Sequence, residues 1–290
     1  MAEDKPRMEG KTVLVTGATH GIGKVTALEL ARMGATVVVH GRNWEHCEAT
    51  VSMIKSETGN QNVGYLLADF SRLDDVRKLA ADYKAKYRRL DVLINNAGGV
   101  YMDRKETADG YEMTLQVNYL SHFLLTNMLL NVIRSSAPSR IINVSSRAHE
   151  RGRIRFDDLM GGAGFSGWAA YSQSKLANIL FTYELARRLE ASKVTCNALH
   201  PGFVASNFGM NNRMMRILRP FIGLVAISKE DGARTSIYLA SSPEVEGVTG
   251  NYFINQRQTP SSKASYNLGN AAKLWQVSLE LTGLKEKTTG

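Results

Sequence analysis

Near the start of the chain, Lys11-Thr12-Val13-Leu14-Val15-Thr16 is a short apolar run that breaks at once into Gly17-Ala18-Thr19-His20-Gly21-Ile22-Gly23, and a helical apolar pattern follows from Val25 to Met33. A strand, a glycine-rich turn and a helix in that order open a βαβ unit. The glycines let backbone approach a pyrophosphate, and the unpaired amides and dipole of the helix amino terminus favour its charge. The spacing is Gly-x-x-x-Gly-x-Gly, not Gly-x-Gly-x-x-Gly, and such a turn can also be merely tight. Gly17, Thr19, Gly21, Ile22 and Gly23 are candidate cofactor contacts. His20 is a further candidate donor, although a lone histidine there is also an ordinary surface residue.

The next apolar strand, Thr36–His40, ends in Gly41-Arg42-Asn43, with no carboxylate before Glu45. An acidic residue here would hold the ribose hydroxyls of NAD(H), whereas an arginine accommodates a 2′-phosphate. Arg42, with Asn43 beside it, therefore predicts NADP(H) over NAD(H), against the plainer reading of a solvated arginine. Residues 44–58 and 72–88 read as helices flanking a strand from Val63 to Asp69. Asp69 and Phe70 fall at its carboxyl end, where the carboxylate would accept from the adenine amino group or else cap the helix after Ser71. Leu90–Ile94 is a buried strand ending in Asn95-Asn96-Ala97-Gly98-Gly99, and the small residues Asn96, Ala97 and Gly98 would let the cofactor lie close to backbone. A long helical pattern from about Asp109 carries Asn118 on an apolar face, where its amide needs partners.

The chemistry is predicted at Tyr171-Ser172-Gln173-Ser174-Lys175, because residues four apart on a helix share a face. Moving the pKa of a tyrosine from about 10 toward neutrality takes roughly 4 kcal/mol. A cation about 4 Å away at an effective dielectric of about 20 supplies on the order of 4 kcal/mol. Taken alone, the pair also fits a core tyrosine with a snorkelling lysine. Upstream, Arg140-Ile141-Ile142-Asn143-Val144-Ser145-Ser146 is a strand ending in two serines at the edge where open parallel sheets hold ligands. Ser145 is predicted to hold a substrate oxygen while Tyr171 exchanges a proton with it, the alternative being a turn serine. The strand Val194–Leu199 runs into His200-Pro201-Gly202-Phe203-Val204-Ala205-Ser206. There Pro201, Gly202, Val204 and Ser206 would lie beside a flat ring.

With 290 residues, 43% of them hydrophobic, a single α/β domain over 1–290 is expected: a Rossmann-type, doubly wound parallel sheet of about seven strands with helices on both faces. Residues 1–9 read as a polar tail, and about 256–290 as a helical carboxyl-terminal extension. About 206–228, rich in methionine and interleaved with arginine, reads as a substrate lid, with a packed helix or a membrane-resting segment as alternatives. Cys47 and Cys196 have neither disulfide-framework nor zinc-ligand spacing, and no metal is expected. The net charge of +9 favours an acidic partner. No basic-aromatic segment indicates nucleic acid, so a phosphate-bearing cofactor is the simpler reading. No apolar run reaches membrane-span length and the start carries no signal sequence, so a soluble, cytoplasmic protein is expected, with peripheral membrane contact left open.

These pieces in this order resemble the short-chain dehydrogenase/reductase family over roughly residues 10–255. The resemblance rests on Thr16-Gly17-x-x-x-Gly21-x-Gly23, Asn95-Asn96-Ala97-Gly98, Asn118, Ser145, Tyr171-x-x-x-Lys175 and Pro201-Gly202. Tyr171-Ser-Gln-Ser-Lys175-Leu-Ala-Asn178, Leu199-His200-Pro201-Gly202 and the tail from Leu274-Trp275 to Thr282-Gly283 are similar to the retinol-dehydrogenase-like branch. The family implies that Tyr171 is the acid/base, that Lys175 lowers its pKa and binds the nicotinamide ribose, that Ser145 orients substrate, and that Asn118 holds a water in a proton relay. Ser206 falls where the family usually has a threonine contacting the carboxamide. The implied activity is NADP(H)-dependent hydride transfer to or from a lipophilic aldehyde, ketone or alcohol. A retinoid or steroid dehydrogenase working oxidatively, and a cofactor-binding regulatory protein without turnover, remain as alternatives. By analogy the protein is a homodimer through its long helices, or a monomer.

Overall fold

A computed structural model describes residues 7–203 and 227–285. Val204, Ser206, most of the expected lid and the two chain ends lie outside the described residues. The strands are β1 (Thr12–Val15), β2 (Thr36–Gly41), β3 (Val63–Leu67), β4 (Val92–Asn95), β5 (Ser139–Val144), β6 (Val194–His200), β7 (Tyr252–Ile254) and β8 (Arg257–Gln258). They form one sheet in the order β3-β2-β1-β4-β5-β6-β7-β8. The first seven are parallel, as expected. The addition is β8, a two-residue antiparallel partner of β7. It exists because Asn255 and Gln256 both adopt positive φ (50° and 64°), the geometry of a tight hairpin turn.

The helices are α1 (Gly21–Arg32), α2 (Trp44–Thr58), α3 (Leu73–Lys86), α4 (Met113–Leu115), α5 (Ser121–Ser135), α6 (Gly167–Arg188), α7 (Lys229–Ser241) and α8 (Leu268–Thr282). They cover both faces of the sheet, so the central strands are apolar throughout, and strand alternation sorts them between two cores. Leu14, Val38, Leu93 and Ile141 point to the side packed by α3, α5, α6 and α8. Val13, Val15, Val37, Val39, Val92, Ile94 and Ile142 point to the other.

The long helix expected from Asp109 begins later, at Met113. Asp109 instead accepts from the Leu73 amide (2.8 Å) and the Gln116 side chain (2.7 Å), capping α3 from a distance. Helix α8 packs on α5 and α6, with the Trp275 ring 5.0 Å from Phe123 and 5.9 Å from Phe181. The strand order reverses direction between β1 and β4, and the crevice outside their carboxyl ends is where a sheet of this kind takes a ligand.

Candidate active site

At the mouth of that crevice Gly17 and Gly21 have positive φ (63° and 56°). A Cβ on Gly17 would sit 2.8 Å from Ala97 Cα, and one on Gly23 would sit 2.4 Å from Asn96 Nδ2 and 2.5 Å from Gly17 O. The turn after β1 and the loop after β4 thus meet backbone to backbone, and Asn96 Nδ2 ties them by donating to Thr16 O (2.8 Å). Helix α1 starts at Gly21 with no side-chain cap bond from His20. Its first amides therefore look into the crevice with their donors uncapped by the side chain that precedes them, as a pyrophosphate requires.

Positive charge gathers beside this turn. His20 Nδ1 lies 2.9 Å from Thr19 Oγ1, and its ring meets His46 edge-on at 4.9 Å. Burial lowers the His20 pKa first, and then the nearby His46, Lys24, Lys229 and Arg42 lower it further. Sequence reasoning named Arg42 and His20 here but missed Lys24, His46 and Lys229. The first two were findable, since both lie in the first turn of a helix that starts at this edge. Asn43 Oδ1 accepts from the His46 amide at 2.9 Å, so its carbonyl oxygen caps α2.

Asp69 Oδ1 accepts from both the amide (2.9 Å) and the hydroxyl (2.8 Å) of Ser71. Phe70, expected at the cofactor, is a core residue. Its ring stacks on His40 at 4.4 Å and meets His122 edge-on at 5.2 Å, because the chain turns inward at the end of β3.

Asn118 occupies a π turn, Gln116–Leu120, between α4 and α5, the kind of local widening that recurs at functional sites. Its side chain is fully buried and fully used. Oδ1 accepts from Gly99 N (2.8 Å), while Nδ2 donates to Gly99 O (2.9 Å) and to Ser174 Oγ (3.0 Å). Ser174 Oγ in turn donates to Tyr171 O at 2.8 Å. The amide therefore clamps the loop after β4 to the helix that carries Tyr171.

Tyr171 and Lys175 lie on one face of α6, both buried, with Lys175 Nζ 5.6 Å from the tyrosine ring centre. Burial pushes the Tyr171 hydroxyl up to about 12, only partly offset by a hydrogen bond with the Ser146 side chain. Burial likewise pulls Lys175 down to about 8. The expected lowering of the tyrosine pKa by Lys175 does not appear, because desolvation dominates and the ammonium donates to Val144 O at 2.9 Å.

The serine expected at the substrate oxygen also changes. Ser145 is 2% exposed, and its hydroxyl donates to the Lys175 main-chain carbonyl at 2.7 Å. It continues the face of β5 that carries Ile141 and is covered by α6. Ser146 is the residue at the Tyr171 hydroxyl, and its Oγ also accepts from Ala148 N at 3.2 Å. Strand parity beyond Val144 was the available signal. His149 anchors this turn, with Nδ1 donating to Ser146 O (2.6 Å) and Nε2 accepting from Ser262 N (3.0 Å).

Pro201 and Gly202 follow β6, and Gly202 takes φ 92° with Ile227 Cδ1 only 2.3 Å from where a Cβ would stand. Trp168, one turn before Tyr171, is 52% exposed with its ring edge-on to the tyrosine at 6.2 Å. It was not anticipated, although its i−3 spacing from Tyr171 puts it on the same face. In the arginine run after Ser146, Arg147 pairs with Glu150 (3.3 Å) and Arg155 with Asp158 (2.8 Å). Among the described residues no helix is long and apolar enough to cross a membrane, and no group of three or more His, Cys, Asp or Glu could hold a metal.

A family profile described as short chain dehydrogenase matches residues 11–216. Human retinol dehydrogenase 14 is 44% identical over 97% of this chain and 89% of its own length. Human retinol dehydrogenase 13 is 44% identical over 97% and 87% respectively. Among solved structures, a Mycobacterium paratuberculosis protein aligns over 97% of both chains at 35% identity and a TM-score of 0.79. A short chain dehydrogenase from Shigella flexneri complexed with NADP aligns over 88% of this chain and all of its own at 25% identity and a TM-score of 0.69.

Proposed function

The chain belongs to the short-chain dehydrogenase family, and from that premise we propose that it is an NADP(H)-dependent oxidoreductase acting on a lipophilic aldehyde, ketone or alcohol. The observation that carries the reading is the convergence of Tyr171, Lys175 and Ser146 at the crevice bounded by the Gly17–Gly23 turn and the Asn96–Gly98 loop. The close backbone approach of the Gly17–Gly23 turn to Ala97 and Asn96, where no side chain could stand at Gly17 or Gly23, supports reading the crevice as the seat of a nicotinamide dinucleotide. Bound there, the nicotinamide supplies the hydride chemistry.

The protein's own groups do the rest. The uncapped amides at the start of α1 receive the pyrophosphate, and Asn96, Ala97 and Gly98 keep the floor low. Arg42, with His20, Lys24, His46 and Lys229 close by, holds a 2′-phosphate, which supports NADP(H) over NAD(H). Lys175 Nζ stands 3.7 Å from where a Cβ of Gly98 would be, so an ammonium faces this floor. Ser146 orients the substrate oxygen. Tyr171, protonated well past neutrality, delivers a proton to that oxygen in reduction and recovers it in oxidation. The exposed Trp168 ring offers a flat apolar wall beside it.

The names of the curated relatives favour a second reading, retinol as the alcohol. A panel of aliphatic, aromatic and retinoid aldehydes and ketones, followed by NADPH absorbance with NADH in parallel, tests both. Turnover with NADPH supports the assignment, and rank order names the substrate. Absence of turnover across the panel, with NADPH still bound, contradicts it.

A further inference from the structure

Directly beneath the nucleotide turn lie two buried histidines that the proposed chemistry does not use. His40 Nδ1 accepts from Gly17 N (3.2 Å), and its Nε2 donates to Ala68 O (3.2 Å). His122 is four residues past Asn118 and 2% exposed. Its Nδ1 lies 3.1 Å from the main-chain carbonyl of Asn118, and its Nε2 lies 3.1 Å from Thr16 Oγ1. A carbonyl only accepts, so Nδ1 carries the proton. Burial, the Lys175 cation and His40 push the His122 pKa down to about 3, so the ring is neutral and Nε2 is a bare acceptor. Thr16 Oγ1 already accepts from Asn96 N (2.8 Å) and Ala97 N (2.9 Å), and its single proton points to His122 Nε2 or to Ile94 O at 3.2 Å. Two directions are thus fixed, the amides of the β4 loop donating to Thr16 and His122 donating to Asn118 O, while the Thr16 hydroxyl lies between His122 Nε2 and Ile94 O and its one proton serves either.

We propose that His122 is a positioning residue of the active site, which in its Nδ1–H tautomer holds the Asn118 carbonyl and links the end of β1 and the cofactor floor to the helix bearing Tyr171. The link is continuous: beyond the carbonyl, the Asn118 side chain grips Gly99 and Ser174, and Ser174 grips Tyr171 O. The π turn Gln116–Leu120 carries Asn118, and the imidazole one turn later adds a side-chain donor to the Asn118 carbonyl. Losing that donor lets Asn118 and the loop it clamps drift relative to Tyr171. The consequence falls on turnover more than on cofactor affinity, because the pyrophosphate contacts at α1 are untouched.

The inference rests on the oxidoreductase reading, and its test separates the two. Asparagine can place a side-chain N–H where Nδ1 stands, glutamine reaches only the Nε2 position, and phenylalanine offers neither. We expect His122→Phe and His122→Gln to lose about tenfold or more in kcat with NADPH Kd changed by less than about threefold, and His122→Asn to recover most of that loss. The same loss in all three variants, in step with their melting temperatures, makes His122 a packing residue and overturns the proposal, as does full kcat in His122→Phe. If the wild-type enzyme turns over nothing in the carbonyl panel, the functional reading fails, yet the proposal is still decided by 15N NMR of the His122 ring. A neutral Nδ1–H tautomer that does not titrate between about pH 5 and 8 upholds it, and an Nε2–H tautomer or a titration in that range overturns it.

Discussion

Ser145 donates its hydroxyl to the main-chain carbonyl of Lys175 at 2.7 Å, so the first serine of the pair after β5 serves the fold of α6 and leaves the Tyr171 hydroxyl to Ser146. The two positions therefore separate structure from chemistry. Ser146→Ala is expected to lower kcat by about 100-fold with stability little changed. Ser145→Ala is expected to keep kcat within a few-fold and to cost about 1 kcal/mol of stability, since it removes one buried side-chain hydrogen bond to a carbonyl inside α6. Steady-state kinetics and urea unfolding of both variants check this, and the reverse pattern would restore Ser145 to the substrate.

Cofactor choice is assigned to the cations beside the Gly17–Gly23 turn. Arg42→Asp is expected to lower the NADPH-to-NADH ratio of kcat/KM by at least about tenfold, or roughly 1.4 kcal/mol. Lys24→Ala should lower it less, because Lys24 is one of several cations around His20. Raising the salt concentration should weaken NADPH more than NADH. An unchanged ratio in Arg42→Asp removes the 2′-phosphate from this edge.

Lys175 is a buried cation whose pKa is pulled from 10.5 down to about 8. Below pH 8 both folded and unfolded chains hold the proton, and the folded state bears the whole penalty, about 3 kcal/mol. As pH rises from about 8 to 10.5 the folded state has released its proton while the unfolded state still binds one, so stability rises with pH and the penalty fades. Replacing Lys175 with methionine removes the charge and also the donor to Val144 O, a loss of about 1–3 kcal/mol. Lys175→Met is thus expected to be inactive yet about as stable as wild type at pH 7, and to lose about 2–3 kcal/mol relative to wild type by pH 10. Urea unfolding at the two pH values measures it, and a variant much less stable at pH 7 contradicts the buried-cation account.

Trp168 stands edge-on to Tyr171 with half its surface open. Trp168→Ala is expected to raise KM for bulky apolar carbonyls by about tenfold, a loss of one aromatic contact surface of roughly 1–2 kcal/mol, and to leave small substrates little changed. Equal effects on large and small substrates would deny it a place in the substrate wall.

Much of this architecture is legible in the chain because parallel strands buried on both faces must be apolar throughout, and the β1 turn announces itself by its glycines. The helix limits at Trp44–Thr58 agree with the residue pattern. What sequence does not carry is long-range pairing. Asp109 looked like a helix start and proved to be a cap for α3, two elements away. Phe70 looked like a nucleotide contact and proved to be the ring between two buried histidines. Ser145 and Ser146 differ only in which side of the last strand residue they follow, and motif matching across a Ser-Ser pair cannot choose. The electrostatics of Tyr171 are hidden for a related reason: proximity to Lys175 is visible in the sequence, but the burial that raises the hydroxyl's pKa is not.

The most direct test of the central claim is turnover by Tyr171→Phe, with NADPH binding measured by fluorescence on the same sample. Loss of detectable carbonyl reduction with NADPH affinity within about threefold of wild type is the predicted result, since the hydroxyl contributes a proton and not the cofactor's grip. Substantial retained turnover would contradict the assignment of Tyr171 as the proton donor and with it the mechanism built on this site.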